Sequence, residues 1–147
     1  MIYFVAEPCE KHLNKIIMAI IFEERLNYHP DDFKGYDTNR IRKEFLVEQI
    51  MDPDHIRLVY SHIERFISGG AMPVHQDLLL ETVDALKSSW FLERRELGVI
   101  NIGNTGSVWV DGTEYVLHYK EALYVGRGNK KVIFRSADPA KPAKFYL

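Results

Sequence analysis

A run of four charged residues, Glu93-Arg94-Arg95-Glu96, is the segment of this sequence best suited to chemistry. It leads directly into an apolar stretch, residues 97–102. Two adjacent guanidinium groups can bind one substrate carboxylate, because each presents a planar fork of hydrogen-bond donors. Charge runs of this kind also occur at salt-bridged strand edges and in subunit contacts. We therefore predict that Glu93, Arg94 and Arg95 contact either a substrate or another subunit.

The histidines show no comparable grouping, because none is followed two residues later by another. His62 and His118 fall in predicted strands, where a single histidine is usually a hydrogen-bonded structural residue. His55 and His75 lie near predicted turns and are expected to be solvated. No metal ligands and no catalytic residues are predicted in this chain. The six histidine positions are His12, His29, His55, His62, His75 and His118.

Other common active-site motifs do not occur in the sequence. It has no Gly-x-Ser-x-Gly elbow, no phosphate-binding loop and no His-Glu-x-x-His segment, and Cys9 has no obvious base nearby. The formal net charge is −2, from 19 basic and 21 acidic residues. Nucleic-acid-binding domains are usually strongly basic, so we predict no nucleic-acid partner.

Cysteine content and hydropathy indicate where the chain resides. A single cysteine cannot form an intrachain disulfide, which favours a reducing, cytoplasmic compartment. The longest apolar run, residues 16–22, is much shorter than the ~20 residues that cross a bilayer. Glu7 and Glu10 make the leader acidic, unlike a signal peptide. We predict a cytoplasmic protein without a membrane partner.

The chain divides into an extension, residues 1–28, and one domain, residues 29–147, of ordinary domain size. Residues 1–17 show no clear hydrophobic period, whereas Met18 opens a segment that would make a sensible start. We hypothesise that Met18 is the natural initiator and that the part before it is not native. A natively expressed protein whose mass includes residues 1–17 would contradict this.

A short helix is predicted from Tyr36 onward. Asp37 or Thr38 can cap its first turn, and Ile41 and Phe45 recur at helical spacing. Together with Leu46 these residues form one apolar stripe, which we expect to dock on a sheet.

Beyond residue 48 the sequence predicts an all-β fold. Short apolar or alternating runs are separated by turn signals every eight to twelve residues, of which Asp111-Gly112 is a strong two-residue hairpin signal. Double-sheet jelly rolls, which include the cupins, fit this pattern best. Residues 77–86 are ambiguous between helix and strand, and the last apolar run has the pattern of an interrupted strand. The predicted strands are 46–50, 56–62, 65–68, 78–82, 90–93, 98–102, 107–110, 113–118, 122–125, 131–135 and 143–146.

Six segments, in order, resemble the 5-keto-4-deoxyuronate isomerases, also called 4-deoxy-L-threo-5-hexosulose-uronate ketol-isomerases. The resemblance covers about residues 29–147 and corresponds to the amino-terminal half of a two-cupin family. It implies a cupin-like jelly-roll β-sandwich with a short N-terminal helix. The segments read FLVE at 45–48, YSHI at 60–63, GGAMP at 69–73, FLERRELGVINIG at 91–103, ALYVG at 122–126 and PAKFY at 142–146.

The resemblance also implies that this half lacks the family's zinc site. The second half of such enzymes has a metal motif of the form His-x-His-Glu-Arg-Arg-Met-Glu, with a further histidine about one hairpin downstream. When its Glu-Arg-Arg is aligned with residues 93–95, the ligand positions fall on Trp90, Leu92 and Leu97, and the last near Lys131. Zinc is therefore expected in the other half, and none is expected on this chain.

Two functions remain open from the resemblance. In the first, the chain is half of an isomerase of pectin breakdown that converts 5-keto-4-deoxyuronate to 3-deoxy-D-glycero-2,5-hexodiulosonate and is inactive alone. In the second, it is a catalytically inactive, cupin-like oligomerisation or binding module. Both imply an exposed apolar patch where a second half or subunit packs, and hence a homo-oligomer or poor solubility.

Overall fold

Two β-sheets form the protein, as seen in a computed structural model that describes residues 20–147. A 3₁₀ turn, Asp84–Leu86, precedes the segment that contains the charge run. No helix within residues 20–147 is long and apolar enough to span a membrane. The elements are β1 Ile20–Arg25, α1 Pro30–Phe33, α2 Thr38–Phe45, β2 Ile56–Ser61, β3 Phe66–Ala71, β4 Leu78–Leu79, β5 Leu97–Asn101, β6 Gly106–Val110, β7 Thr113–Leu117, β8 Ala122–Val125, β9 Val132–Ser136 and β10 Phe145–Tyr146.

The first sheet has six strands in the order β1-β2-β3-β10-β5-β8, and the second has four in the order β4-β9-β6-β7. β1 runs parallel to β2, and the other paired strands are antiparallel. The predicted all-β, cupin-like jelly-roll sandwich with a short helix near its start is thereby confirmed.

The core lies between the two sheets because their strands alternate inward and outward residues. In β5, Leu97 and Val99 are buried whereas Ile100 is exposed. Phe134 of β9 and Phe145 of β10 meet across the core with ring centres 5.4 Å apart, and both are fully buried. Burying a phenylalanine side chain contributes about 1.5–3 kcal/mol, so this pair joins the two sheets firmly.

Most of the predicted strands are present in the structure, but two of these predictions are wrong. Residues 90–93 form turns rather than a strand. Residues 46–50 also leave the sheets and run over the outer face of β3, where a Cβ on Gly70 would lie 2.5 Å from the Ile50 carbonyl oxygen. The backbones of both segments therefore lie outside the two sheets.

The predicted helix exists, although its packing differs from the prediction. Asp37 caps α2 by accepting a hydrogen bond from the Arg40 backbone N–H at 2.8 Å. The apolar stripe does not dock on a sheet, since Ile41 and Phe45 remain 43% and 47% exposed. Phe45 instead meets Tyr28 and Phe33 edge-on, each at 5.8 Å between ring centres. The apolar stripe of this eight-residue helix therefore contacts nearby aromatic rings in place of a sheet.

The amino-terminal extension contributes to the first sheet. Its residues 20–25 form β1, which is paired along its whole length with β2 from Ile20–Ile56 to Arg25–Ser61. The proposed initiator Met18 lies outside the described residues. The division of the chain at residue 28 stays a prediction.

Candidate functional site

The charge run lies in the loop that joins the 3₁₀ turn to β5. Lys87 ends the turn in the left-handed conformation, with φ of 48°. Turns follow through residues 89–94, and the chain then enters β5 at Leu97. The loop therefore lies outside the sheets, and it is held by the Gly128 backbone N–H, which donates to the Leu92 carbonyl at 2.7 Å, together with its own side chains.

Each predicted site residue binds a backbone group. The Glu93 carboxylate accepts a hydrogen bond from the Ser89 backbone N–H at 2.6 Å. Arg94 donates to the Lys87 carbonyl, which lies at the residue that ends the 3₁₀ turn. In residues 20–147, neither of these side chains takes part in an ion pair. Both side chains therefore hold the loop in place.

Arg95 connects this loop to the β2–β3 turn. Its Nη1 atom donates to the Arg65 carbonyl at 3.0 Å, and its guanidinium carbon lies 5.2 Å from the centre of the Tyr60 ring. Tyr60 is only 8% exposed, so its ring forms a fixed support. Arg95 is half-buried as a residue, and its guanidinium has further N–H donors beyond the one that bonds the Arg65 carbonyl.

A cavity of about 400 Å³ brings Arg94 and Arg95 together with Arg65, which the sequence prediction missed. Glu93 is not among the residues that line it. The lining includes three arginines and no carboxylate, so the wall of this space carries positive charge without an acidic partner. Such an arrangement favours an anion. The remaining lining residues are Tyr60, Ala85, Leu86, Ser88 and Phe91.

The β2–β3 turn that contains Arg65 has an unusual backbone conformation. Glu64 and Arg65 have φ angles of 57° and 54°, in the left-handed region where non-glycine residues are uncommon. The sequence of this turn contains no glycine, asparagine or aspartate to indicate such a conformation. Only the three-dimensional pairing of β2 with β3 shows that Arg65 lies beside Arg95.

A larger cavity, about 670 Å³, lies between β1 and α2, but its charges are mostly paired. Arg57 contacts Glu23 at 3.1 Å and Asp52 at 2.7 Å. Arg42 contacts Glu48 at 2.6 Å. Guanidinium groups already held by carboxylates have little need of a ligand anion. We therefore regard the smaller arginine-lined cavity as the candidate site.

The described histidines have hydrogen-bond partners of their own. His62 contacts Glu24 at 2.8 Å, and His75 contacts Asp54 at 2.7 Å. Burial alone would raise the pKa of the Asp54 carboxyl, but hydrogen bonds from the His75 ring and from backbone N–H groups outweigh it and lower that pKa. Across residues 20–147, no three His, Cys, Asp or Glu side chains are grouped to hold a metal.

The positions aligned with zinc ligands hold side chains that do not fit a metal. Leu92 and Leu97 are 1% and 7% exposed and belong to the hydrophobic core. Their side chains contain only carbon and hydrogen and offer no lone pair. Trp90 offers an indole N–H, which is a donor only, and Lys131 is exposed on the surface. The residues described here therefore do not fit zinc at these four positions.

Curated relatives match most of the chain. The relatives from Formosa agariphila, Lachnospira eligens and Bacteroides fragilis are 54%, 51% and 49% identical to it over 130, 125 and 130 residues. All three are named 4-deoxy-L-threo-5-hexosulose-uronate ketol-isomerase. The chain is a homologue of these ketol-isomerases. The resemblance found in its six segments is thereby confirmed.

The ketol-isomerase matches cover 88%, 85% and 88% of this chain, but only 46%, 45% and 46% of the relatives. The chain thus spans about half the length of the ketol-isomerases it matches, as expected for an amino-terminal half. No family model matches the chain. Among solved structures, the Clostridium difficile EutQ protein aligns with a TM-score of 0.41 and 17% identity over 63% of each chain, a likeness too small to support an argument.

Proposed function

We propose that the chain is the amino-terminal, metal-free half of a cytoplasmic ketol-isomerase of pectin and uronate breakdown. The reaction converts 5-keto-4-deoxyuronate to 3-deoxy-D-glycero-2,5-hexodiulosonate. The observation that supports this most is the 54% identity to a named ketol-isomerase across 88% of the chain. The isolated chain is expected to be inactive.

The packing of the core supports the assignment of the metal site to the other half of the enzyme. A ketol-isomerase moves a proton between adjacent carbons and needs an electrophile for the developing oxyanion, which zinc can supply. Leu92 and Leu97 occupy two of the aligned ligand positions with buried hydrocarbon. We therefore assign zinc to the other half and structural and substrate-binding work to this one.

The arginine-lined cavity supports a contact with the substrate carboxylate. We assign this contact to Arg65 and Arg95, two residues that line a space without an acidic wall residue. Glu93 and Arg94 act as positioning residues, because their side chains hold the loop through the Ser89 N–H and the Lys87 carbonyl. A cavity of about 400 Å³ lies within the usual range of small-ligand pockets.

A complementation assay tests the proposed function. The purified chain, supplied with zinc and the deoxy keto-uronate, should show no turnover. Adding the remaining half of the full-length protein should restore activity. Turnover by the chain alone would mean that a working catalytic site exists within it and would contradict the metal-free assignment.

The second candidate is an assembly module without a catalytic role, whose partner would pack on the outer face of the six-stranded sheet. This face exposes Phe66 by 64% and Tyr124 by 67%, and Ile100 and Tyr146 by 42% and 39%. Contiguous apolar patches on soluble proteins usually mark interaction surfaces. Because the relatives are about twice as long as the matched segment, we propose that their remaining half covers this face.

Light scattering distinguishes the two ways of covering the face. A chain that stays monomeric alone and forms a stable complex with the remaining half supports our proposal. Self-association abolished by Tyr124→Ser would instead assign the face to a second copy and favour the assembly module. Glu114→Gln, on exposed β7 of the other sheet, serves as the control.

A further inference from the structure

A further cavity, of about 580 Å³, lies at the opposite end of β5 from the arginine-lined cavity. Its lining residues come from three segments, 102–104, 119 and 140–144, and from Met72. Arg95 precedes β5 and Ile102 follows it, so a span of roughly 20 Å separates the two cavities. No residue lines both of them, and they are therefore separate sites.

One buried side chain holds the wall of this cavity together. Asn101 is fully buried, and its Nδ2 atom donates to the Asn104 carbonyl at 2.8 Å. Its Oδ1 atom accepts from the Gly103 N–H at 3.0 Å and, at the longer distance of 3.4 Å, from the Lys144 N–H. Its backbone carbonyl accepts from the N–H of Lys120, the residue after Tyr119, at 2.7 Å. All three segments are thus connected to one residue, so the cavity has its shape before any ligand binds.

Two of the three segments also pack directly on each other. The Ile102 N–H donates to the Lys144 carbonyl at 2.8 Å, and the Asn104 N–H donates to the Pro142 carbonyl at 3.2 Å. A Cβ on Gly103 would lie 2.9 Å from the Pro142 carbonyl oxygen, so the two backbones lie too close for a side chain between them. This part of the wall is therefore rigid.

The wall carries positive charge that nothing in it neutralises. Lys141 and Lys144 line the cavity, and its lining includes no carboxylate. In the part of the chain that the structure describes, residues 20–147, neither lysine takes part in an ion pair. The acidic residues nearest in sequence to the two loops, Asp138 and Glu121, accept hydrogen bonds from backbone N–H groups instead. The cavity therefore favours an anion.

An aromatic ring lies beside the two lysines. Tyr119 is 61% exposed and Ile102 is 45% exposed. The Lys120 ammonium lies 5.0 Å from the centre of the Tyr119 ring, which occupies one face of the ring and leaves the other for a ligand. Sugar rings present C–H groups that can pack on the electron-rich face of an aromatic ring. The exposed Asn104 adds an amide that can donate to hydroxyl groups and accept from them.

Two lysines suit a phosphate better than a carboxylate. A phosphate monoester carries a charge of about −1.5 to −2 at neutral pH, which two ammonium groups balance. Lysine binds phosphate as a point charge, whereas a carboxylate is matched by the planar fork of arginine. The two cavities therefore differ in the anion that they select.

We propose that this cavity is a binding site for a phosphorylated sugar. The phosphate lies between Lys141 and Lys144, the sugar ring packs on Tyr119 and Ile102, and Asn104 bonds a ring hydroxyl. A volume of about 580 Å³ is within the usual range of small-ligand pockets. The site is separate from the substrate contact assigned to the arginines, and it does not depend on the proposed function.

NMR titration of the isotope-labelled chain tests the ligand class, because the Gly103 and Asn104 amides report on this cavity. Glucose 6-phosphate is the probe and should shift both amides. Inorganic phosphate should bind roughly tenfold more weakly, because it lacks a ring to pack on Tyr119. Glucose and glucuronate should cause no shift at the same concentrations, since one lacks the anion and the other carries a single carboxylate.

Two lysine pairs test the charge. Lys141→Gln combined with Lys144→Gln should weaken glucose 6-phosphate binding roughly tenfold, because two charged partners are lost. Lys130→Gln combined with Lys131→Gln removes the same charge outside the cavity and should leave the affinity unchanged.

Two tyrosine variants test the ring contact. Tyr119→Ser should reduce the affinity for glucose 6-phosphate to that for inorganic phosphate. Tyr115→Ser, at an exposed tyrosine of β7 outside the cavity, should have no effect.

Unshifted Gly103 and Asn104 amides with glucose 6-phosphate would overturn the proposal, as would equal weakening by the two lysine pairs. Glucuronate that binds as tightly as the sugar phosphate would do so too, because the lysines would then not select phosphate. Tighter binding of adenosine monophosphate would show that a base occupies the ring instead. None of these measurements uses turnover, so failure of the complementation assay is a separate result.

Discussion

The guanidinium of Arg95 lies over the ring of Tyr60, 5.2 Å from its centre, while its Nη1 atom donates to the Arg65 carbonyl. One side chain thus joins the loop before β5 to the end of β2 and to the β2–β3 turn. The planar guanidinium makes both contacts at once, whereas a lysine ammonium could not reproduce this geometry. The contact therefore sets the shape of the arginine-lined cavity.

Arg95→Lys should weaken sugar-acid binding although it preserves the charge. The variant loses the fork that bonds a carboxylate and the stacking on Tyr60, so we expect affinity for glucuronate to fall roughly tenfold. Isothermal titration measures this, with glucose as a neutral ligand that should not bind. The control is Arg127→Lys, an exposed arginine outside the cavity. Equal affinity in both variants would contradict the carboxylate contact.

Arg94→Ala should impair stability or assembly more than chemistry. The variant loses the hydrogen bond to the Lys87 carbonyl, which holds the loop after the 3₁₀ turn. Because the side chain is exposed, we expect a loss of roughly 1 kcal/mol in the free energy of unfolding. Urea unfolding and turnover of the full-length variant measure the two effects. An enzyme that assembles normally yet loses turnover would reverse this assignment.

The Asp54–His75 pair should make stability depend on pH in the acidic range. Hydrogen bonds lower the pKa of Asp54 in the folded chain, so its contribution is present above the unfolded pKa and is lost as pH falls through the folded one. Asp54→Ala should therefore destabilise the protein more at about pH 7 than at about pH 3. Urea unfolding at both values tests this. The exposed control Asp32→Ala should show a smaller difference.

Gly106→Ala should destabilise the sandwich. A Cβ at this position would lie 2.5 Å from the Ala143 Cβ and 2.5 Å from the Arg135 carbonyl oxygen. Overpacking of this kind costs roughly 1–3 kcal/mol, which thermal unfolding would detect. Gly126→Ala is the matched control, since a Cβ there meets nothing within 4 Å. Similar melting temperatures for the two variants would contradict the close packing of β6 against β9 and Ala143.

Zinc removal should leave the stability of this chain unchanged. Leu92 and Leu97 fill two of the positions aligned with zinc ligands, so metal binding should contribute nothing to folding there. We expect the same melting temperature with added zinc and with a strong chelator. Leu92→Ala should cost roughly 2–5 kcal/mol as a core deletion, whereas exposed Leu26→Ala should cost little. A melting temperature that falls in chelator would show a metal site.

Short sequence motifs predicted the turns whose conformation depends on the residues within them. Asp111 and Gly112 adopt positive φ angles of 47° and 93°, as their two-residue hairpin between β6 and β7 requires. Residues 90–93 misled the prediction because their apolar side chains suit a strand, whereas the Glu93 carboxylate binds the Ser89 N–H and stabilises turns. Hydrophobicity alone does not distinguish these two outcomes.

The sequence did not show the features that depend on pairing between strands far apart in the chain. β1 was missed because its parallel partner β2 begins 36 positions further along, at the Ile20–Ile56 pair. At the candidate site, Arg94 and Arg95 were found from their charge alone. Arg65 was not found, because it precedes Arg95 by 30 positions and meets it only after β2 and β3 have paired.

The central position of β10 has a consequence for synthesis on the ribosome. β1, β2 and β3 form one group of paired strands and β5 and β8 another, and β10 is the strand that joins the two groups. Phe145 and Tyr146 leave the ribosomal tunnel after all the strands they connect. Nascent chains should therefore hold two unjoined half-sheets with exposed edges until translation passes this point. Such edges attract other strands, so this interval is when chaperones would protect the protein most.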